Sequence, residues 1–139
     1  MKKDGYPALP TYMPLYQESE YPLTFIPGPN HNFLNSTFSL HEKHQKLEKF
    51  PKLHMNEQDA KARQIEDGDM VRVLNDRGEC ELVVSVGQNV LSGVVVSQGL
   101  WADQKGKKHL VNGLTPDRLA DMGGGATFFS GRVEVEKLS

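Results

Sequence analysis

Cysteine is almost missing from this chain: Cys80 stands alone among 139 residues. A single thiol excludes an internal disulfide and any metal site built from several cysteines. Charge of one sign is missing as well, since 16 Lys and Arg face 18 Asp and Glu for a formal charge of −2. Without a basic surplus to neutralise a phosphate backbone, general nucleic-acid binding is disfavoured. Long apolar runs are lacking too. The densest is Val94-Val95-Val96, far short of the roughly 20 residues a membrane-spanning helix needs, so no direct membrane insertion is expected. The basic start Met1-Lys2-Lys3 runs into Asp4-Gly5-Tyr6-Pro7, where a secretory leader would require an apolar stretch. A hydrophobic share of 37% and a length typical of one domain leave a small soluble protein with one modest core.

What is present is unevenly spread. All four tyrosines, Tyr6, Tyr12, Tyr16 and Tyr21, fall in the first 21 residues beside Pro7, Pro10, Pro14 and Pro22. Closely spaced prolines lack N–H donors and fix φ, so residues 1–20 read as an extended arm. Tyr21 to Pro27 follows as a strand, closed by the turn cluster Pro27-Gly28-Pro29-Asn30. Ser39 with Glu42 has the spacing of a capping box, predicting a helix with Leu40, Leu47 and Phe50 as its apolar edge and Pro51 as its stop. A second helix is expected from Asn56 as N-cap to Gln64.

From Ile65 the period changes to two. Met70 to Leu74 is a strand, Asn75-Asp76-Arg77-Gly78 a hairpin turn, and Glu79 to Val86 a strand with Cys80, Leu82, Val84 and Val86 on one face. Nine of the twelve valines lie between positions 71 and 96. Branched side chains suit a packed, pleated surface, so the core belongs here and Cys80 packs within it as a small hydrophobe. Beyond a polar loop at Ala102 to His109, Thr115-Pro116-Asp117 has the signature of an N-cap with proline at N1, Gly123-Gly124-Gly125 breaks that helix, and Arg132 to Val135 is a final strand. Short strands with short helices between them suggest a small barrel.

Most motif-like strings dissolve on inspection. In His41-Glu42-Lys43-His44 the histidines are three apart, whereas the zinc-protease helix needs four. The triple glycine matches neither a Walker loop nor a dinucleotide fingerprint. Asp67 and Asp69 flank Gly68 in a turn, where aspartate bonds the local backbone. Two clusters remain as candidate ligand contacts. One is His31-Asn32-Phe33-Leu34-Asn35-Ser36; the other is Val111-Asn112-Gly113-Leu114-Thr115-Pro116-Asp117, with Asp121 beyond. Amide side chains offer both donor and acceptor, as reading the edge of a heterocycle requires. A helix N-terminus at Thr115 would favour an anion.

The string Tyr21 to Ser36 resembles the opening of the C-terminal domain of molybdopterin oxidoreductases, the family of formate dehydrogenases, nitrate reductases and dimethyl sulfoxide reductases. Ile65 to Val73 with Asn75 to Gly78, then Val111 to Asp117, then Asp121 to Val135 agree in the same order, so the resemblance covers residues 21–137. It implies a mainly β fold, a double-psi six-stranded β-barrel with a few short helices, occupying residues 21–139 behind the arm 1–20. It implies a cofactor, molybdopterin guanine dinucleotide, whose metal (molybdenum or tungsten) is held elsewhere in the enzyme. By matching position, His31, Asn35 and Ser36 would contact pterin or phosphate from the first loop, and Asn112, Asp117 and Asp121 would contact the cofactor from the second. It further implies that the chain is a fragment, inactive alone, whose partners are the remaining domains of the parent oxidoreductase. A leader would then sit at the parent's start; the chain itself reads as soluble, with the cytoplasm favoured. Two positions depart from the family: Pro29 stands where many members carry a phosphate-pairing arginine, and Phe128-Phe129-Ser130 replaces an aromatic–lysine pair. The alternative is an adaptor barrel that binds a protein or peptide through its tyrosine arm, since fold alone does not choose function.

Overall fold

The computed structural model describes residues 20–35, 37–101, 110–121 and 123–138, with Gly5, Leu9, Thr11 and Tyr12. The expectations for most of the arm, for Ser36 and for the loop at 102–109 lie outside the described residues.

Six strands close into a barrel: β1 (Leu23–Gly28), β2 (Lys52–Asn56), β3 (Met70–Asn75), β4 (Gly78–Gly87), β5 (Val94–Gln98) and β6 (Arg132–Lys137). Around the ring the order is β1-β5-β2-β4-β3-β6. Two neighbouring pairs are parallel, β1 with β5 and β2 with β4. The other four contacts are antiparallel. This is the double-psi barrel. Strand side chains alternate between faces, and the inward set is apolar except for Ser97 of β5, which is 1% exposed. Leu23 and Phe25 of β1, Leu53 and Met55 of β2, Val71 and Val73 of β3, Cys80 and Leu82 of β4, Val95 of β5 and Val133 of β6 are all buried. Cys80 is a free thiol inside this core. No helix among the described residues is long and apolar enough to cross a membrane.

The hairpin between β3 and β4 forms where expected. Asn75 Oδ1 accepts from the N–H groups of Arg77 at 2.9 Å and Gly78 at 3.3 Å, holding the turn from within. Helix α2 (Glu57–Ala62) likewise starts at Asn56, whose Oδ1 accepts from Gln58 N–H at 2.9 Å. The barrel's outer edge is tied by Lys137 Nζ to Asp69 at 2.6 Å. That hydrogen bond, with the Glu66 N–H bonded to the same carboxylate, lowers the Asp69 pKa below its ordinary value and raises that of Lys137.

Four expectations are corrected. Strand β2 was not anticipated; Lys52–Asn56 lies where only a link between helices was expected. Helix α1 (Glu42–Glu48) starts two residues late, with His41 as N-cap and no side-chain cap, so no capping box forms. Ser39 is instead buried, and its carbonyl accepts from Gln45 Nε2 at 2.6 Å. The expected apolar edge faces outward, with Leu40, Leu47 and Phe50 exposed. Finally, no helix begins at Thr115: it ends a short 3-10 turn, Val111–Leu114, and the chain continues extended. The triple glycine therefore breaks no helix. It turns a small hairpin bridged at Leu119 and Ala126, with Gly123 and Gly124 at φ of 80° and 63°.

Candidate functional site

Because β1 and β5 run parallel, both end at the same rim of the barrel, at Gly28 and Gln98. The loops leaving them diverge around a cleft of about 590 Å3. Pro27, Gly28, Pro29, Gly99 and Leu100 line it from the ends of these strands and the loops beyond. The lining also includes Val111, Asn112, Thr115 and Pro116, Phe128 and Phe129, and Asn35 from the first loop. The corresponding rim, where the parallel strands β2 and β4 end, is filled by α2: Ala60 is buried there, leaving a shallow space of about 290 Å3.

Each wall is held from beneath. The loops after β1 and β5 are wedged together by Phe33 and Trp101, both buried, their rings edge to face at 5.1 Å. Trp101 Nε1 donates to the Gln98 carbonyl at 3.3 Å. Gly99 makes the closest approach: its N–H donates to the Gly28 carbonyl at 2.7 Å. It has φ of +77°, and a Cβ there would lie 1.8 Å from Asn30 Nδ2. Glycine is therefore required both by conformation and by space. Asn30 is only 7% exposed, and its Nδ2 has no acceptor. The facing wall is stapled by Asn75 Nδ2, which donates to the carbonyls of Leu114 at 2.8 Å and Arg132 at 3.1 Å. With Val111 and Leu114 buried, Asn112 is left projecting outward. Asn35 has φ of 48°, in a tight turn closed by Thr37 N–H on the Leu34 carbonyl at 2.8 Å. Asparagine tolerates that left-handed conformation better than most residues.

Of the residues singled out from the sequence, the cleft brings together Asn35 and Asn112. His31 is exposed and outside the lining. Asp117 lies beyond the rim, 3.0 Å from Arg77. Asp121 lies in the glycine hairpin, 3.5 Å from Arg118. Ser36 is outside the described residues. Gly99 and Leu100 are not singled out by the sequence, where a glycine directly after a valine-rich strand is the signal available, and Asn30 reads there only as part of a turn cluster. Phe128 and Phe129, whose rings meet at 4.4 Å, had been noticed only as a departure.

The chemistry of this lining is specific. The described part of it offers two carboxamides, two glycines and two aromatic rings, and none of the described lining residues is charged. Such a lining suits a flat heterocycle with donors and acceptors on its edge. The sequence profile described as "Molydopterin dinucleotide binding domain" matches residues 23–131. The chain belongs to this family. Among curated proteins, this molydopterin-binding domain is 68% identical over 138 residues to the probable oxidoreductase YoaE of Bacillus subtilis, covering 99% of this chain and 20% of that protein. It is 37% identical over 89 residues to the dimethyl sulfoxide reductase DmsA of Haemophilus influenzae, covering 60% of this chain and 11% of the reductase. Among solved structures, the acetylene hydratase of Pelobacter acetylenicus superposes with a TM-score of 0.82 at 17% identity, covering 99% of this chain and 22% of the hydratase. That last likeness establishes the fold. The chain thus spans about a fifth or less of the curated relatives named here.

Proposed function

We propose that the barrel of residues 21–139 is the cofactor-capping domain of a molybdenum or tungsten oxidoreductase, with residues 1–20 as an arm outside it, and that the cleft at the β1–β5 rim receives molybdopterin guanine dinucleotide. The observation that carries this reading is the cleft lining, which brings the carboxamides of Asn35 and Asn112 together with the side-chain-free Gly28 and Gly99. A Cβ at position 99 would collide with the buried Asn30, so the loop after β5 can pack this closely on the first loop only with glycine there. When bound, the cofactor supplies the redox chemistry through a metal held by other parts of the enzyme.

The roles left to this chain are recognition and shelter. The carboxamides of Asn35 and Asn112 can each donate to a ring carbonyl and accept from a ring N–H, fixing the heterocycle's orientation. Phe128 and Phe129 cover an apolar face and exclude water. Pro29, at the position where the family resemblance leads one to expect an arginine, offers a phosphate no cation from the first loop. Asp117 and Asp121, engaged with Arg77 and Arg118, serve in our reading to hold the outer loop, and His31 flanks the first loop's exit. The chain's part is binding, with substrate choice made outside it. The adaptor alternative is not carried forward, because family membership already accounts for the cleft.

The test is cofactor retention by the assembled oxidoreductase carrying Asn35→Ala or Asn112→Ala. Loss of one hydrogen bond of about 1 kcal/mol weakens retention roughly fivefold per site. Unchanged pterin content in both variants, and in the double variant, would remove the cleft from the binding site.

A further inference from the structure

The segment that carries Asn35 to the cleft continues into α1, and that helix is turned inside out. Its polar groups reach back to the domain: Glu48 Oε1 accepts from the Asn32 backbone N–H at 2.6 Å and from Asn32 Nδ2 at 3.0 Å, while Gln45 bonds the Ser39 carbonyl. Its apolar groups face water. Leu40, just before the N-cap, is 68% exposed, and Leu47 is 56% exposed. Phe38, 60% exposed, stacks on His44 with ring centres 5.3 Å apart. Leu47 follows His44 at the three-residue spacing that keeps side chains on one side of a helix. No residue of α1 is buried. Large apolar side chains left exposed together along one short segment mark a contact face.

We propose that the face formed by Phe38, Leu40, His44, Leu47 and Phe50 docks against another domain of the same oxidoreductase, one presenting an apolar surface edged by carboxylates. The inference rests on the proposed function for the existence of that domain. The curated relatives support it, because this chain corresponds to a fifth or less of their length. Charge supports the stated chemistry. Residues 42–52 hold four lysines against two glutamates, a surplus of two positive charges, in a chain whose total is −2. Glu48 is turned inward onto Asn32, and Lys52 lies over the Phe50 ring at 5.3 Å. A second copy of the chain would set basic rim against basic rim, so self-association through this face is disfavoured. Docking would also fix the cleft: the same stretch, anchored at Asn32, holds the turn that presents Asn35.

The experiment places this chain in the position of the matching fifth of the Bacillus relative and follows hydrogen exchange over residues 38–50, in that full-length protein and in the 139-residue chain alone. Exchange at least about tenfold slower in the full-length protein is expected. Leu40→Asp with Leu47→Asp should abolish the difference, while Leu91→Asp, at a separate exposed leucine, should leave it. Both positions are exposed, so circular dichroism of the variants should match the parent. Equal exchange rates in both proteins would overturn the proposal. So would concentration-dependent protection in the isolated chain, which would assign the face to a second copy, or its protection by phosphatidylglycerol vesicles, which would assign it to a lipid surface. Pterin content measured on the same samples separates the two ideas. Full pterin with an unprotected face overturns the docking alone; a protected face without pterin overturns the cleft reading alone.

Discussion

Replacing Gly99 by alanine isolates the contact that packs the loop after β5 against Asn30 beside the cleft. Two costs are expected. The first is conformational: φ of +77° is a left-handed angle, and an L-residue held there loses about 1–2 kcal/mol, partly offset by a less flexible unfolded chain. The second is steric. The new methyl would lie 1.8 Å from Asn30 Nδ2 and 2.3 Å from its Cγ, far inside the ordinary contact of 3.4–4 Å. Asn30 is buried and cannot swing into water; overpacking of this kind costs about 1–3 kcal/mol. Gly93→Ala is the control, since Gly93 has φ of +82° and nothing within 4 Å of its ideal Cβ. Urea unfolding of the 139-residue chain should therefore show Gly99→Ala less stable than Gly93→Ala by about 1–3 kcal/mol. At roughly 3–5 °C per kcal/mol for a domain of this size, the melting temperatures should separate clearly. Asn30→Ala removes the obstructing atoms, so the double variant should recover most of that gap. Equal losses at the two glycines, or strict additivity of Asn30→Ala with Gly99→Ala, would refute the reasoning.

Three further perturbations test the frame around the cleft. Leu82→Ala, in the middle of the barrel and fully buried, should cost about 2–5 kcal/mol in chemical denaturation through lost burial and a residual cavity. Asn56→Ala should cost about 1 kcal/mol by uncapping α2, with the Val90 carbonyl also losing the Asn56 Nδ2 donor. Asp69→Asn should flatten the pH dependence of the melting temperature at both ends. The lowered Asp69 pKa means its contribution is present above the ordinary 3.8 and lost as pH falls below it. The raised Lys137 pKa means its share is present below 10.5 and lost as pH climbs above it. Identical profiles for wild type and variant would contradict the ion pair's role.

What could be read from the sequence follows physical range. The β3–β4 hairpin and the cap of α2 rest on residues a few positions apart, and both formed as Asn75 and Asn56 foretold. Strand β2 was illegible because Lys52–Asn56 is short and weakly β-forming; its partners, Val83 to Gly87 and Val95 to Ser97, are 31 to 44 positions downstream. The expected capping box at Ser39 failed because tertiary burial took that serine first. The outward-facing apolar edge of α1 defeated pattern reading for a different reason. Periodicity reports that a side chain seeks an apolar neighbour, without saying that the neighbour is in the same domain. Asn35 and Asn112 were visible as amide-rich loop residues. The Gly99 wall and the aromatic side were not, since they become one surface only when the barrel closes.

The most direct test of the central claim is a titration of the isotopically labelled 139-residue chain with a pterin guanine dinucleotide, followed by amide chemical shifts. The account predicts weak binding, in keeping with a site completed by other domains, with shifts concentrated at Asn35, Gly99, Asn112 and Phe128. Shifts that spare these residues, or that cluster at the β2–β4 rim around Ala60, would contradict it.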